Sequence, residues 1–206
     1  MLFRSDFDLA AAPDGKGYYY FERAHSETIC ADLTEDYTDV TGYYSTHFPL
    51  KQPPLVREAT AHFYRKGLHY LITSGTTSYF PNPSELAVAD TWHGPFRVLG
   101  NPHPDDISNT SYHSQISSVF KVHGKKDLYI ACADRWLPNE MHRRYEEYAA
   151  AFQCRFDVET ETPGVLDIDM PVENTSLADY VWLPFRFQGE MGFLDWRGQW
   201  RLEEFE

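Results

Sequence analysis

Three side chains recur at one register in this sequence. Asp6, Glu58 and Gln115 each stand nine positions before a glycine that opens a strand-like run. The copies run from Asp6 through Asp14-Gly15-Lys16 to Tyr18-Tyr19-Tyr20, and from Glu58 through Lys66-Gly67 to Leu68-His69-Tyr70-Leu71-Ile72. The third runs from Gln115 through His123-Gly124-Lys125 to Leu128-Tyr129-Ile130. Two carboxyls brought together in a low-dielectric cleft repel each other, and the pKa of one rises. A carboxyl kept protonated beside one that stays charged is what acid-catalysed glycoside cleavage needs. Polar residues also lead inner strands wherever a channel is wet, and spacing alone leaves both readings open.

The elements that must position these groups follow from the repeat. The three turn glycines are 52 and 57 residues apart. Downstream, Ala31-Asp32 leads in ten residues to Val40-Thr41-Gly42, and Ala89-Asp90 leads in ten to Val98-Leu99-Gly100. Period-two alternation, as in Ala61-His62-Phe63-Tyr64-Arg65, marks strands. Each unit reads as a meander of about four short strands, the size of a propeller blade. The fold class is therefore all-β, a β-propeller of about three blades at roughly 4–50, 55–101 and 112–206. The last blade closes with Tyr180-Val181-Trp182-Leu183-Pro184, Gly192-Phe193-Leu194 and Gln199-Trp200-Arg201-Leu202. Met141, Tyr145, Tyr148 and Phe152 fall at helical spacing with Asn139 as N-cap, so 138–178 reads as a helical insertion in that blade. Propellers close with four or more blades. Three leave two faces open, so missing N-terminal blades or a second chain would have to complete the ring.

Composition removes several functions. Eighteen Lys and Arg stand against 31 Asp and Glu, a net charge of −13. That balance opposes binding through phosphates and excludes a nucleic-acid partner. Cys30, Cys132 and Cys154 share no CxxC spacing, suggesting neither disulfides nor zinc. No run is long and apolar enough to span a membrane. Charged residues come too early at Met1–Asp6 for a signal peptide, which leans weakly toward the cytoplasm and leaves the compartment unknown.

Arg57-Glu58-Ala59-Thr60, followed by Tyr70-Leu71-Ile72-Thr73-Ser74-Gly75, resembles the Arg-Glu-Ala-Pro and Tyr-x-Leu-x-Thr-Ser-Gly signature of glycoside hydrolase family 43. The branch most resembled includes the exo-β-1,3-galactanases, and the match is to the C-terminal part of a five-bladed catalytic domain. Pro81-Asn82-Pro83, Gly94-Pro95-Phe96, Gly100-Asn101-Pro102, His113-Ser114-Gln115 and Ala133-Asp134-Arg135-Trp136 follow in the same order. The resemblance implies Glu58 as general acid and Asp6 as the carboxylate that orients it and raises its pKa. It places Gln115 near the attacking water, where many relatives carry a metal-associated histidine, so no metal or cofactor is implied. It also implies inversion of configuration, with the base carried by an earlier blade. Two positions depart from the family pattern. Ala12-Pro13-Asp14-Gly15 stands for an acidic run before the turn, and Thr60 for a proline that could tighten the presentation of Glu58.

Thr76 after Thr73-Ser74-Gly75 could contact sugar hydroxyls, and Trp136 could stack on a sugar face. Tyr79, Phe80 and Trp92 share that chemistry, although most propeller aromatics pack between blades. His113, two residues from Gln115, is the one histidine near the site; none has HExxH spacing. His103-Pro104-Asp105-Asp106 reads as a solvated acidic turn. The sequence thus points to a glycosidase acting on plant-type polysaccharide such as β-1,3-galactan, or arabinan or xylan side chains. The alternative is a propeller fragment that binds carbohydrate without turnover.

Overall fold

The computed structural model describes residues 6–50, 52–156 and 175–206. Strands β1 (Phe7–Ala11), β2 (Gly17–Arg23), β3 (Glu27–Leu33) and β4 (Val40–His47) form a four-stranded antiparallel meander. A second meander contains β5 (Arg57–Arg65), β6 (Leu68–Gly75), β7 (Glu85–Ala89) and β8 (Arg97–Gly100). In the third unit β9 (Gln115–Lys121), β10 (Tyr129–Arg135) and β11 (Asp179–Pro184) make a three-stranded sheet in the order β11-β10-β9. Two further strands, β12 (Arg186–Gln188) and β13 (Met191–Phe193), pair as a separate hairpin. The fold is all-β, and its sheets do not close into a ring.

The repeat register has a backbone cause. Gly15, Gly67 and Gly124 hold φ of +90°, +88° and +78°, with open space where a Cβ would stand. Glycine is needed there for the left-handed turn rather than for room. The register fixes Asp6 just before β1, Glu58 as the second residue of β5 and Gln115 as the first of β9.

Blades pack through two unlike layers. Between the second and third units Phe63, Tyr70, Ile72, Leu86, Val119, Leu183 and Phe185 form a continuous apolar core. Between the first and second, Tyr18, Tyr20, Cys30 and Leu71 pack with Trp92 and Phe96. That layer is laced with polar ties. Asp8 accepts from the His62 amide at 2.6 Å, and the Tyr20 ring stacks on His62 at 5.0 Å. Ser45 Oγ lies 2.9 Å from both His47 Nε2 and His93 Nδ1, and His93 Nε2 reaches Asp32 at 2.7 Å.

The insertion carries helix α1 (Tyr145–Phe156), which buries Tyr148 and Phe152 against Phe80 and Leu137. Its start differs from the sequence reading. Asn139 and Met141 precede the helix in turns, and the Glu147 carboxylate instead accepts the Arg144 amide at 3.0 Å. That charged side chain reaches back one turn to the N–H just before the helix, so the helix start is held at Arg144 rather than at Asn139. Positions 157–174 of the insertion lie outside the described residues. Gln199–Leu202 also departs from expectation: it forms no strand. Trp200 Nε1 donates to the Trp182 carbonyl, and a 3-10 turn follows at Leu202–Glu204.

Candidate active site

Glu58 owes its position to a β-bulge. The β5–β6 register shifts between Glu58 and Ala61, and Ala59 takes φ of +49°. Such a bulge re-aims the side chain beside it. The bulge is held from the neighbouring blade, because the buried Thr60 hydroxyl donates to the Tyr20 carbonyl at 3.2 Å. A proline at this position could not make that bond, so the departure at Thr60 adds an anchor.

Burial pushes the Glu58 carboxyl up to about 8, with repulsion from Asp6 and then Glu22 adding to the rise. Arg57 and the Thr76 hydroxyl oppose it, and are outweighed. Arg57 spends its guanidinium on Thr73 and the Pro83 carbonyl, which turns its strongest donors away from Glu58. Asp6 is itself raised, first by desolvation against the cleft wall and then by the Asp134 carboxylate. Asp6 as a whole residue remains exposed.

Two of these groups escaped the sequence reading. Glu22, 5% exposed near the end of β2, is raised by burial and sits close enough to repel both Asp6 and Glu58. Its alternation with Tyr20 and Tyr18 was the available signal, since Glu22 shares the face that meets the next blade. Asp134 pairs across strands with Gln115 and so lies on the same face. The Ala133-Asp134-Arg135-Trp136 motif marked that segment without separating the aspartate from its neighbours.

Gln115 is held at both ends. Its Nε2 donates to Ser74 Oγ at 2.8 Å, and its Oε1 accepts from Trp136 Nε1 at 3.1 Å. Ser74 is the cross-strand partner of Glu58, so the amide is tied to the strand that faces the acid. Asp6, Gln115, Asp134 and Trp136 line one cleft of 390 Å³. The Ala59–Thr60 bulge lies on the same wall. Tyr79 meets the Trp136 ring edge-on at 5.8 Å and lines the adjoining recess with His113.

Thr76 is buried and donates to the Val56 carbonyl at 3.0 Å. His113 Nε2 lies 2.8 Å from the Arg143 carbonyl, which ties it to the insertion. Trp92 lies away from the cleft, stacked on Tyr18 at 4.3 Å between blades. Phe80 is buried against α1. No group of three or more metal-ligating side chains occurs among the described residues. The three cysteines are free thiols, and no helix among the described residues is long and apolar enough to cross a membrane.

The turn at 103–113 is not the solvated loop that its composition suggests. His103 is 4% exposed, and burial lowers its pKa to about 4. Asp106 accepts from Ser108, from the Thr110 amide at 2.7 Å and from the Tyr112 amide at 3.0 Å. These bonds hold Ser111, Tyr112 and His113 in three successive left-handed conformations, φ +55° to +58°. Each costs non-glycine residues on the order of 1–2 kcal/mol. The strained turn ends two residues before Gln115.

A buried, repelled carboxyl and an amide fixed through its cross-strand partner Ser74 are groups that acid chemistry can use. No family model matches the chain, and neither does any curated protein. Solved structures do. A family 43 β-1,3-galactosidase solved with galactodeoxynojirimycin is 25% identical, with a TM-score of 0.68 over 96% of this chain and 46% of that one. An exo-β-1,3-galactanase from Clostridium thermocellum is 25% identical, with a TM-score of 0.58 over 92% of this chain and 33% of that one. A second family 43 β-1,3-galactosidase, at 24% identity, shares the fold with a TM-score of 0.70 over 97% of this chain and 34% of its own. The chain is related to the galactanase-like members of glycoside hydrolase family 43. It spans less than half the length of each of these three structures.

Proposed function

We propose that this chain carries the acid half of an inverting glycosidase site acting on β-1,3-linked galactan. The observation that carries the reading is the Glu58 carboxyl, pushed up to about 8 by burial and by its acidic neighbours. Near neutral pH it holds a proton. In the proposed step that proton passes to the glycosidic oxygen as the bond from that oxygen to the anomeric carbon breaks. Water attacks the anomeric carbon from the opposite face and gives its proton to a general base. Asp6 and Glu22 keep the Glu58 proton in place, and Gln115, clamped by Ser74 and Trp136, orients water or a sugar hydroxyl. Acid and base in such sites stand about 6.5–9.5 Å apart to admit the water. Galactan is the preferred substrate because the solved relatives are a β-1,3-galactosidase and an exo-β-1,3-galactanase.

The test is reducing-sugar release from β-1,3-galactan by this chain, with Glu58→Gln beside it. Hydrolysis lost in the variant, on the order of a hundredfold or more, supports the acid role. Undiminished hydrolysis by Glu58→Gln would reject it. A second reading is favoured by the partial length: the chain binds galactan without cleaving it until further blades are supplied. A folded chain that binds galactan and releases no sugar would support that reading.

A further inference from the structure

A second pocket stands behind the cleft. It has a volume of 410 Å³ and is lined by Tyr112, His113, Arg135, Met141, Trp196 and Asp105. Arg135 closes β10, and its single hydrogen bond among the described residues runs from Nη2 to the Tyr112 carbonyl at 3.0 Å. Its Nε is the one buried side-chain polar atom there without a partner. Buried donors are seldom left unpaired, because each loses its bond to water and gains none in return. By contrast, Arg65 and Arg186 are each paired with a carboxylate, Asp127 and Asp195, at 2.6–2.9 Å. Arg135 has only the longer-range pull of Asp179, which is weaker than the desolvation acting on it.

The rest of the pocket suits a sugar ring. Trp196 is 49% exposed and Met141 42%, and the guanidinium lies over the indole at 5.8 Å. The Asp106 carboxylate is already spent on the backbone of the left-handed turn, which leaves Asp105 to accept hydroxyls. An Arg fork recognises a carboxylate, an indole face recognises the C–H face of a pyranose, and one acceptor recognises hydroxyls.

We propose that this pocket binds the carboxylate-bearing ring of a uronic acid. His113 lines both this pocket and the recess beside Gln115, so a uronate on a branch of a bound glycan could occupy it. That adjacency rests on the glycan reading of the cleft; capture of the free monosaccharide does not. Strain in the Ser111–His113 turn has a use here, because the turn places Tyr112 and His113 on the wall between the two sites.

The experiment titrates galacturonate, galactose and benzoate into the unaltered chain, following the tryptophan indole resonances and the heat of binding. Galacturonate should bind, and galactose should bind at least about tenfold more weakly, the worth of a charge-assisted pair. Arg135→Gln should remove that preference, and Trp196→Ala should weaken galacturonate several-fold. Trp196 is surface-exposed, so its variant keeps the test decisive if Arg135→Gln fails to fold. Equal binding of galactose and galacturonate, no binding of either, or benzoate bound in place of galacturonate would each overturn the assignment. None of those outcomes bears on hydrolysis through Glu58.

Discussion

The layer between the first two blades and the layer between the last two do different work. The second has an apolar core, with Phe63 stacked on Tyr70 at 4.8 Å and against Phe185 at 5.3 Å, and its polar ties lie at the ends of the strands. The first mixes aromatics with His47, His62, His69 and His93, and Asp6 and Glu22 of the first blade act across it on Glu58. An apolar layer holds shape at any pH. A layer of buried titratable groups can hold a proton where chemistry needs one, and its stability then follows pH. The pairing teaches that the rigid interface anchors β5 from one side while the polar interface tunes the acid from the other.

The comparison can be broken most strongly at Phe63. Phe63→Ala leaves a cavity in the apolar layer and should cost about 3–5 kcal/mol, to a similar extent at pH 5 and pH 8. Urea denaturation at the two pH values checks it; a strongly pH-dependent loss would contradict the division between layers.

The polar layer should respond to acid. Burial depresses His62 to about 3 and His47 to about 4, each assisted by a neighbouring histidine. A group whose folded pKa lies below its unfolded value stabilises fully above the unfolded value, near 6.5, and loses that contribution as pH falls toward 3 to 4. The loss should reach on the order of 3 kcal/mol for such a histidine. His62→Phe keeps a ring beside Tyr20 and Trp92, and its stability curve should be flatter over this window. A wild-type acid limb in that variant would remove His62 from the account.

Glu58 produces the opposite slope. Its carboxyl is raised from 4.5 to about 8, so the folded chain binds more protons than the unfolded one between those values. Stability should fall as pH rises through that window, by on the order of 5 kcal/mol in all. Glu58→Gln should level the curve, and activity in the parent should decline above about pH 8 as the acid loses its proton. Thermal melts of both proteins from pH 5 to 9 decide the matter. The smallest effect belongs to Thr60→Val, which removes the bond to Tyr20 without changing volume much. It should cost about 1 kcal/mol and lower turnover by loosening the bulge. An unchanged melt would show the anchor to be idle.

Much of the site was legible because glycine has no substitute at a repeated positive φ. Gly15, Gly67 and Gly124 fixed three equivalent hairpins, and counting back nine residues placed Asp6, Glu58 and Gln115 at one end of three inner strands. Other features left no such mark. Three successive left-handed residues at 111–113 contain no glycine and depend on the Asp106 carboxylate folding back over them. Helix α1 begins beyond its apparent apolar start because Met141 lies in a preceding turn and Tyr148 is what meets Phe80.

The repeat and the turn positions follow from local backbone sterics and short-range spacing, and so were legible in the residues alone. How strongly Glu58 keeps its proton is set by the packing of one blade on the next. That depends on burial and on Asp6 and Glu22, which reach it across an interface from a different blade. Electrostatic energy depends on distance and dielectric, and neither is set until the blades have packed.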